Sequence, residues 1–163
     1  DIRTISEAIS YDPNTGQMMW KKKSGPKLPG MSAGCLCKTH GYILIRVDTV
    51  LYMAHRIAWV LSYGREPDGH IDHINGNKSD NRIMNLREAT PSQNMFNRGA
   101  QSNNACGLKG VCFNPKIRGS KKWSAEICEN RKRHKLGLFS LKSLAAVAYA
   151  KAAIRYHGKF ANT

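Results

Sequence analysis

Apolar and polar positions fall into blocks that predict most of the elements of this chain. Residues 41–47 are β-branched and partly alternating, which predicts a strand, and a turn near Asp48-Thr49 leads to a second strand over residues 50–53. Residues 54–63 then place Ile57, Ala58, Val60 and Leu61 at helical spacing, so a helix with that face in a core is expected, with Gly64 ending it. Upstream, residues 2–9 read as a short helix. The dense turn signal Tyr11-Asp12-Pro13-Asn14-Thr15-Gly16 joins it to a strand over 17–22, making a small hairpin. Residues 24–38, rich in Gly, Pro, Ser and Lys, read as an irregular loop.

The stretch 69–98 reads as strand, polar loop, strand and helix. Asp72-His73 closes the first strand, the loop covers 74–82, and Asn85 is expected within the second strand. Thr90-Pro91-Ser92-Gln93 has capping-box spacing, with Thr90 as N-cap and Pro91 at the first helical position. Asn94 then lies about one turn into the helix, which Asn97 and Arg98 are expected to extend. Such a start faces Asn94 back toward Asp72 and His73. Carboxylate and amide oxygens suit a hard cation such as Mg²⁺, and an imidazole can deprotonate water near neutral pH. This is equipment for metal-assisted phosphodiester hydrolysis. Asp80 is a weaker ligand candidate, because it should lie beyond the loop tip.

Three further strands are expected over 108–113, 122–128 and 133–139, separated by turn-prone residues 114–119 and Glu129-Asn130. Along the middle strand Trp123, Ala125 and Ile127 should face one way, and Ser124, Glu126 and Cys128 the other. An Ala-rich helix over 140–158 should back this antiparallel sheet with a stripe of Leu141, Leu144, Ala145, Ala148 and Ala152. The expected division is a first domain over 1–100 with its core at 69–98, a polar linker at 101–107, and a second domain over 108–163. The fold class is α+β.

Charge sharpens the picture. The 163 residues carry a net charge of +15, distributed unevenly. Residues 1–100 hold 13 Lys and Arg against 9 Asp and Glu, whereas residues 101–163 hold 13 against 2. So one-sided a segment is the footprint of a polyanion binder. No apolar run approaches the roughly 20 residues of a membrane span, and the first residues lack a basic-then-apolar leader, so a cytoplasmic location and no membrane partner are expected. The five cysteines, an odd number without C-x-x-C spacing, fit reduced thiols. Cys35, Cys37 and His40 offer no apparent fourth ligand, so no structural zinc is expected.

The segment DHINGNKSDNRIMNLREATPSQN resembles the core of the HNH (ββα-metal) endonucleases, especially the homing type of phages and introns. The resemblance implies His73 as general base, Asn85 as the residue that pins the loop and orients the base, and Asp72 and Asn94 as ligands of Mg²⁺ or Mn²⁺. With asparagine at the last motif position, Asn94 makes this an H-N-N variant. The preceding GYILIRV and YMAHRIAWVLSYG segments resemble the stretch ahead of the core in the same family. There Arg56 is a candidate phosphate contact, and His55 is either structural or phosphate-contacting.

The pieces LKGVCFNP, KWSAEI, HKLGLFS and AAVAYAKAAIRYHG resemble an AP2-type DNA-binding domain, whose open sheet face enters the major groove. Residue-wise matching makes Lys109, Asn114, Lys116, Glu126, Arg133 and Lys135 DNA-side candidates, with Arg98 available at the end of the nuclease helix. Cys112, Cys128 and Lys135 stand where Arg or Trp is common in the plant members, which favours phosphate-dominated binding over sharp base readout. Together the resemblances imply a metal-dependent endonuclease acting on double-stranded DNA, nicking as a monomer or cutting both strands as a dimer. The alternative is a DNA-binding regulatory protein with an inactive nuclease domain.

Overall fold

The computed structural model of the chain describes residues 2–101, 103–129 and 131–163. Asp1 lies outside the described residues, as do Ser102 in the expected linker and Asn130 in the turn expected before the last strand. By packing the chain divides into two units, residues 1–90 and 91–163. The expected division left residues 91–100 with the first domain. The helix Pro91–Phe96 instead counts with the second unit.

In the first unit, helix α1 (Ile2–Ala8) leads into β1 (Ile9–Tyr11), which pairs antiparallel with β2 (Met18–Trp20). The region expected as irregular loop contains a two-residue strand, β3 (Cys35–Leu36), paired with β4 (Ile43–Val47). β4 in turn pairs with β5 (Val50–Met53), which feeds directly into helix α2 (Ala54–Tyr63). The helix stops at Gly64, whose N–H bonds the Val60 carbonyl at 2.9 Å. Ile57 and Ala58 are fully buried and pack with Ile5, Trp20, Ile45 and Leu86 in one apolar cluster. Burying each large side chain there contributes roughly 1.5–3 kcal/mol. Strands β6 (His70–His73) and β7 (Leu86–Ala89) form a separate two-stranded hairpin. Asn85, expected inside the second strand, lies in a 3₁₀ turn over Ile83–Asn85 that delivers the chain into β7. Its side chain is occupied with the loop, as described below, instead of with a pleated ladder.

The second unit begins with the short helix α3 (Pro91–Phe96). The helix stops there, so Asn97 and Arg98 do not extend it. Strands β8 (Val111–Phe113), β9 (Trp123–Glu129) and β10 (Lys132–Phe139) form an antiparallel sheet with β9 central. Val111 is opposite Ala125, and Ile127 opposite His134, on the face covered by helix α4 (Lys142–His157). The helix presents Ala145, Tyr149, Ala152 and Ala153 to the sheet. Leu141 and Leu144, expected on that stripe, are 58% and 47% exposed. The stripe is turned toward the smaller side chains, because alanines let the helix axis approach the strands closely. Gly110 marks how close the approach is: a Cβ there would lie 2.3 Å from the Tyr149 ring and 2.5 Å from the Glu126 carbonyl oxygen.

Candidate active site

The hairpin β6–β7 sets two adjacent side chains to work in opposite directions. Its register places His73 across from Leu86, and Asp72 across from Arg87. Side chains alternate along a strand, so His73 shares a face with buried Ile71 and Leu86, while Asp72 and Arg87 share the other.

His73 is enclosed. Only 5% of it is exposed. The Tyr42 ring lies 5.9 Å away between centroids and the His55 ring 5.1 Å away, edge to face at 88°. Tyr42 and His55 also touch one another, at 5.2 Å, so three rings form one cluster. His73 Nε2 lies 3.4 Å from Asn81 Oδ1. The Asn81 amide is oriented by a bond from its Nδ2 to the Ser79 carbonyl at 3.3 Å, so Oδ1 accepts and Nε2 carries the proton. That tautomer leaves the basic lone pair on Nδ1. Burial holds the His73 pKa below its ordinary value, against opposing pulls from Asn81 and the Asp72 and Asp80 charges. Burial, with the neighbouring His73, pushes His55 down to about 3. Both imidazoles are therefore neutral at pH 7, the protonation state that a base requires. His55 itself is only 6% exposed.

The loop after His73 is tied from both ends. The Asn85 side chain accepts from the Asn75 N–H at 3.0 Å and donates to the Asp80 carbonyl at 2.8 Å. Its backbone carbonyl accepts from the Ile74 N–H at 2.8 Å. Asn77 N–H bonds Asn75 Oδ1 at 2.8 Å, and Ser79 N–H bonds Asn77 Oδ1 at 3.1 Å. Asp80 is spent on structure: Arg82 donates to its two oxygens at 2.8 and 2.6 Å, and Asn75 adds a third bond at 2.8 Å. The Arg82 bonds hold its carboxyl well below the usual carboxylate range. The turn between β1 and β2 buttresses the same loop. Tyr11 Oη donates to the Asn81 carbonyl at 2.8 Å, and the Ile83 N–H to the Pro13 carbonyl at 3.1 Å. Gly16, at φ 75°, sits so close that a Cβ would meet Arg82 N at 2.7 Å and Asn81 C at 2.8 Å.

Asp72, 5% exposed, receives Arg87 Nε at 2.8 Å and Nη2 at 2.7 Å on its Oδ2. The pair is buried, with the Arg87 side chain 13% exposed. Among the described residues there is no group of three or more His, Cys, Asp or Glu side chains placed to hold a cation. A magnesium-type ion does not need one, since it is commonly held by one or two protein oxygens and keeps several waters. A carboxylate oxygen of Asp72 together with a carboxamide oxygen is a donor set of the right hardness.

Asn94 lies on α3 and therefore belongs to the second unit, half-buried. In the first unit Arg56 is at the surface, paired with Glu66 at 3.2 Å. On the second unit, the outer face of the sheet carries Cys112, Ser124, Glu126, Cys128, Arg133 and Lys135, by register and alternation. Arg133 and Glu126 form an exposed pair at 3.5 Å. Asn114 and Lys116 sit in the exposed turn after β8, where Asn114 Oδ1 accepts the Lys116 N–H at 3.0 Å. Lys109 departs from its expected place on a DNA-facing surface. Its ammonium turns into the protein and bonds the carbonyls of Met95, Phe96 and Arg98 at 3.3, 2.6 and 2.7 Å, and Arg98 itself is exposed. Sequence reasoning missed Asn81, Tyr42 and Arg87. No spacing signal points to them; each is brought in by tertiary packing.

A buried neutral histidine thus ends a hairpin strand and faces a loop tied by asparagines. Residues 52–96 form an HNH endonuclease family domain, matching that family's model. The chain's similarity to "Protein 3.8" of Escherichia phage T7 is 31% identity over 108 residues, covering 66% of this chain and 86% of that one. It is also 33% identical over 109 residues to "Uncharacterized HNH endonuclease L560" of Acanthamoeba polyphaga mimivirus, covering 66% of this chain and 54% of that protein. No solved structure matches the chain. Among the described residues no helix is long and apolar enough to cross a membrane.

Proposed function

We propose that the chain is a divalent-metal-dependent endonuclease of the homing type that hydrolyses phosphodiester bonds in double-stranded DNA. His73 takes the proton from the attacking water as the water oxygen bonds to phosphorus and the 3′-oxygen leaves, giving 5′-phosphate and 3′-hydroxyl ends. Asp72 and Asn94 are the residues that hold Mg²⁺ or Mn²⁺. A bound ion supplies stabilisation of charge on the phosphate and the departing oxygen. Asn85 fixes the loop that carries Asn81, and Asn81 in turn fixes the tautomer of the base. The observation that carries this reading is the enclosed His73 ring, kept neutral by burial and tied at Nε2 to Asn81.

The second unit supplies the hold on DNA, in the manner of an AP2-like domain whose sheet face lies in the major groove. Arg133, Lys135 and Glu126 on that face, with Asn114 and Lys116 in the turn after β8, are the contacts proposed there, and Arg56 and Arg98 are proposed to meet the backbone. The rival reading, a DNA-binding regulator with an inactive nuclease domain, is separated by one experiment. Purified protein with Mg²⁺ should nick or linearise supercoiled plasmid, EDTA should stop it, and His73→Ala should abolish cleavage while still shifting DNA in a gel. Cleavage by His73→Ala at the parental rate would remove the assigned base.

A further inference from the structure

The segment matched by the family model, 52–96, runs past residue 90, where the chain divides by packing. Its last helix, α3, is held by the C-terminal unit. A helix of six residues is not stable by itself in water, so what fastens it decides whether it exists. Three fasteners are present. The Lys109 ammonium, with three donors, spends them on the Met95, Phe96 and Arg98 carbonyls at and just past the helix end, where helical carbonyls lose their i+4 partners and the backbone dipoles present their negative pole; the Met95 carbonyl also accepts the Arg98 N–H at 3.3 Å. Phe96 stacks flat on His157, centroids 3.8 Å apart and planes at 3°. His157 Nε2 lies 3.0 Å from the Cys128 carbonyl, which can only accept, so that stack is anchored to the end of β9. Asn162 Nδ2 donates to the Asn97 carbonyl at 2.7 Å.

We infer that Lys109 is a positioning residue for the nuclease: it closes the end of α3 and, with His157 and Asn162, makes the presentation of Asn94 a property of the C-terminal unit. The inference rests on the reading of Asn94 as a metal ligand. It gives the C-terminal unit a second task besides holding DNA, and it removes Lys109 from the set of DNA contacts.

The test uses the full chain. Lys109→Met keeps the aliphatic stem and deletes the donors. Amide exchange at Asn97 and Arg98 should then quicken by about tenfold or more, the effect of losing bonds to a charged donor. Plasmid cleavage with Mg²⁺ should fall by roughly a hundredfold, as for a displaced catalytic group, while gel-shift affinity and its salt slope stay at parental values. Should Lys109→Met lose DNA binding through misfolding, Asn162→Ala decides in its place, with the same expected loosening at Asn97 and loss of cleavage. Parental exchange over 94–98 overturns the inference whatever the nuclease does, and so does loosened exchange with undiminished cleavage. Normal cleavage by Asn94→Ala is the distinguishable failure of the underlying reading, and it takes the positioning role with it.

Discussion

The rings of His55 and His73 meet edge to face, 5.1 Å apart at 88°, and neither reaches solvent by more than 6% of its surface. Two imidazoles in that contact cannot both be charged without a like-charge penalty in a dry environment. The folded state therefore keeps them neutral, and the unfolded chain protonates them near their ordinary values. Below the unfolded pKa of 6.5 the unfolded state binds more protons than the folded one, so stability is complete above that pH and is lost as pH falls toward the folded value of about 3 for His55. At pH 4.5 the loss from His55 should be roughly 2–3 kcal/mol. Urea unfolding at pH 7 and pH 4.5 measures it, and His55→Phe, which cannot titrate, should flatten the difference. An equally steep decline in that variant would place the acid sensitivity elsewhere.

Asn81 meets His73 through a side chain whose backbone is held separately. Its carbonyl belongs to Tyr11 and its side chain to Ser79 and His73. Asn81→Ala should therefore keep the loop path and release the imidazole tautomer. Single-turnover cleavage should drop by roughly ten- to a hundredfold with DNA affinity unchanged. A fall in affinity with an unchanged rate would make Asn81 a DNA contact instead.

Much of this architecture was legible along the chain, for physical reasons that differ by element. Helix α2 occurs over the residues expected, Ala54–Tyr63, because Ile57, Ala58 and Val60 contrast with polar neighbours at helical spacing. The outer and inner faces of β9 likewise follow from alternation, with Ala125 and Ile127 buried. Helix α4 shows the converse. Leu144, Ala145, Val147, Ala148, Ala152, Ala153 and Ile154 ring it almost completely, so the sequence has no polar side from which to phase the stripe, and the sheet selected the alanines. Asn81, Arg87 and Lys109 were illegible or misassigned because their roles depend on partners eight to fifteen positions away: His73 for Asn81, Asp72 for Arg87, and the end of α3 for Lys109. Nothing in local pattern distinguishes a surface lysine from one that closes a helix.

The Asp72–Arg87 pair makes a prediction about stability that is independent of catalysis. Both side chains are largely out of water, so Arg87→Met strands a buried carboxylate and should destabilise the first unit by about 3–5 kcal/mol. Replacing both groups, Asp72→Leu with Arg87→Met, should recover most of that loss, since the stranded charge is gone. Denaturant midpoints of the two variants decide it. A double variant as unstable as the single one would mean that the pair contributes shape and not charge.

In the second unit, Gly110 lies under Tyr149 at φ 68°. Gly110→Ala adds a Cβ that overlaps the ring and the Glu126 carbonyl, and it also strains the left-handed backbone. Overpacking and the backbone term together should remove roughly 2–5 kcal/mol. The loss should be confined to residues 91–163, visible as accelerated amide exchange in β8, β9 and α4 with the β6–β7 hairpin unaffected. Loosening spread equally over both units would show that they unfold as one.

The charge imbalance of residues 101–163, 13 Lys and Arg against 2 Asp and Glu, predicts how binding responds to salt. Each phosphate contact releases about one counterion, so log affinity should fall linearly with log salt concentration, and removing one contact should flatten the slope by about 1. Arg133→Ala and Lys135→Ala, on the outer sheet face, should each do this on any duplex sequence, because phosphates carry no sequence information. Arg133 is paired with Glu126 at 3.5 Å, so Glu126→Gln should free that guanidinium and remove a repelling carboxylate, raising affinity at low salt. Fluorescence anisotropy across a salt series measures all three variants. Slopes that do not change in Arg133→Ala and Lys135→Ala would move the DNA-binding surface off this sheet.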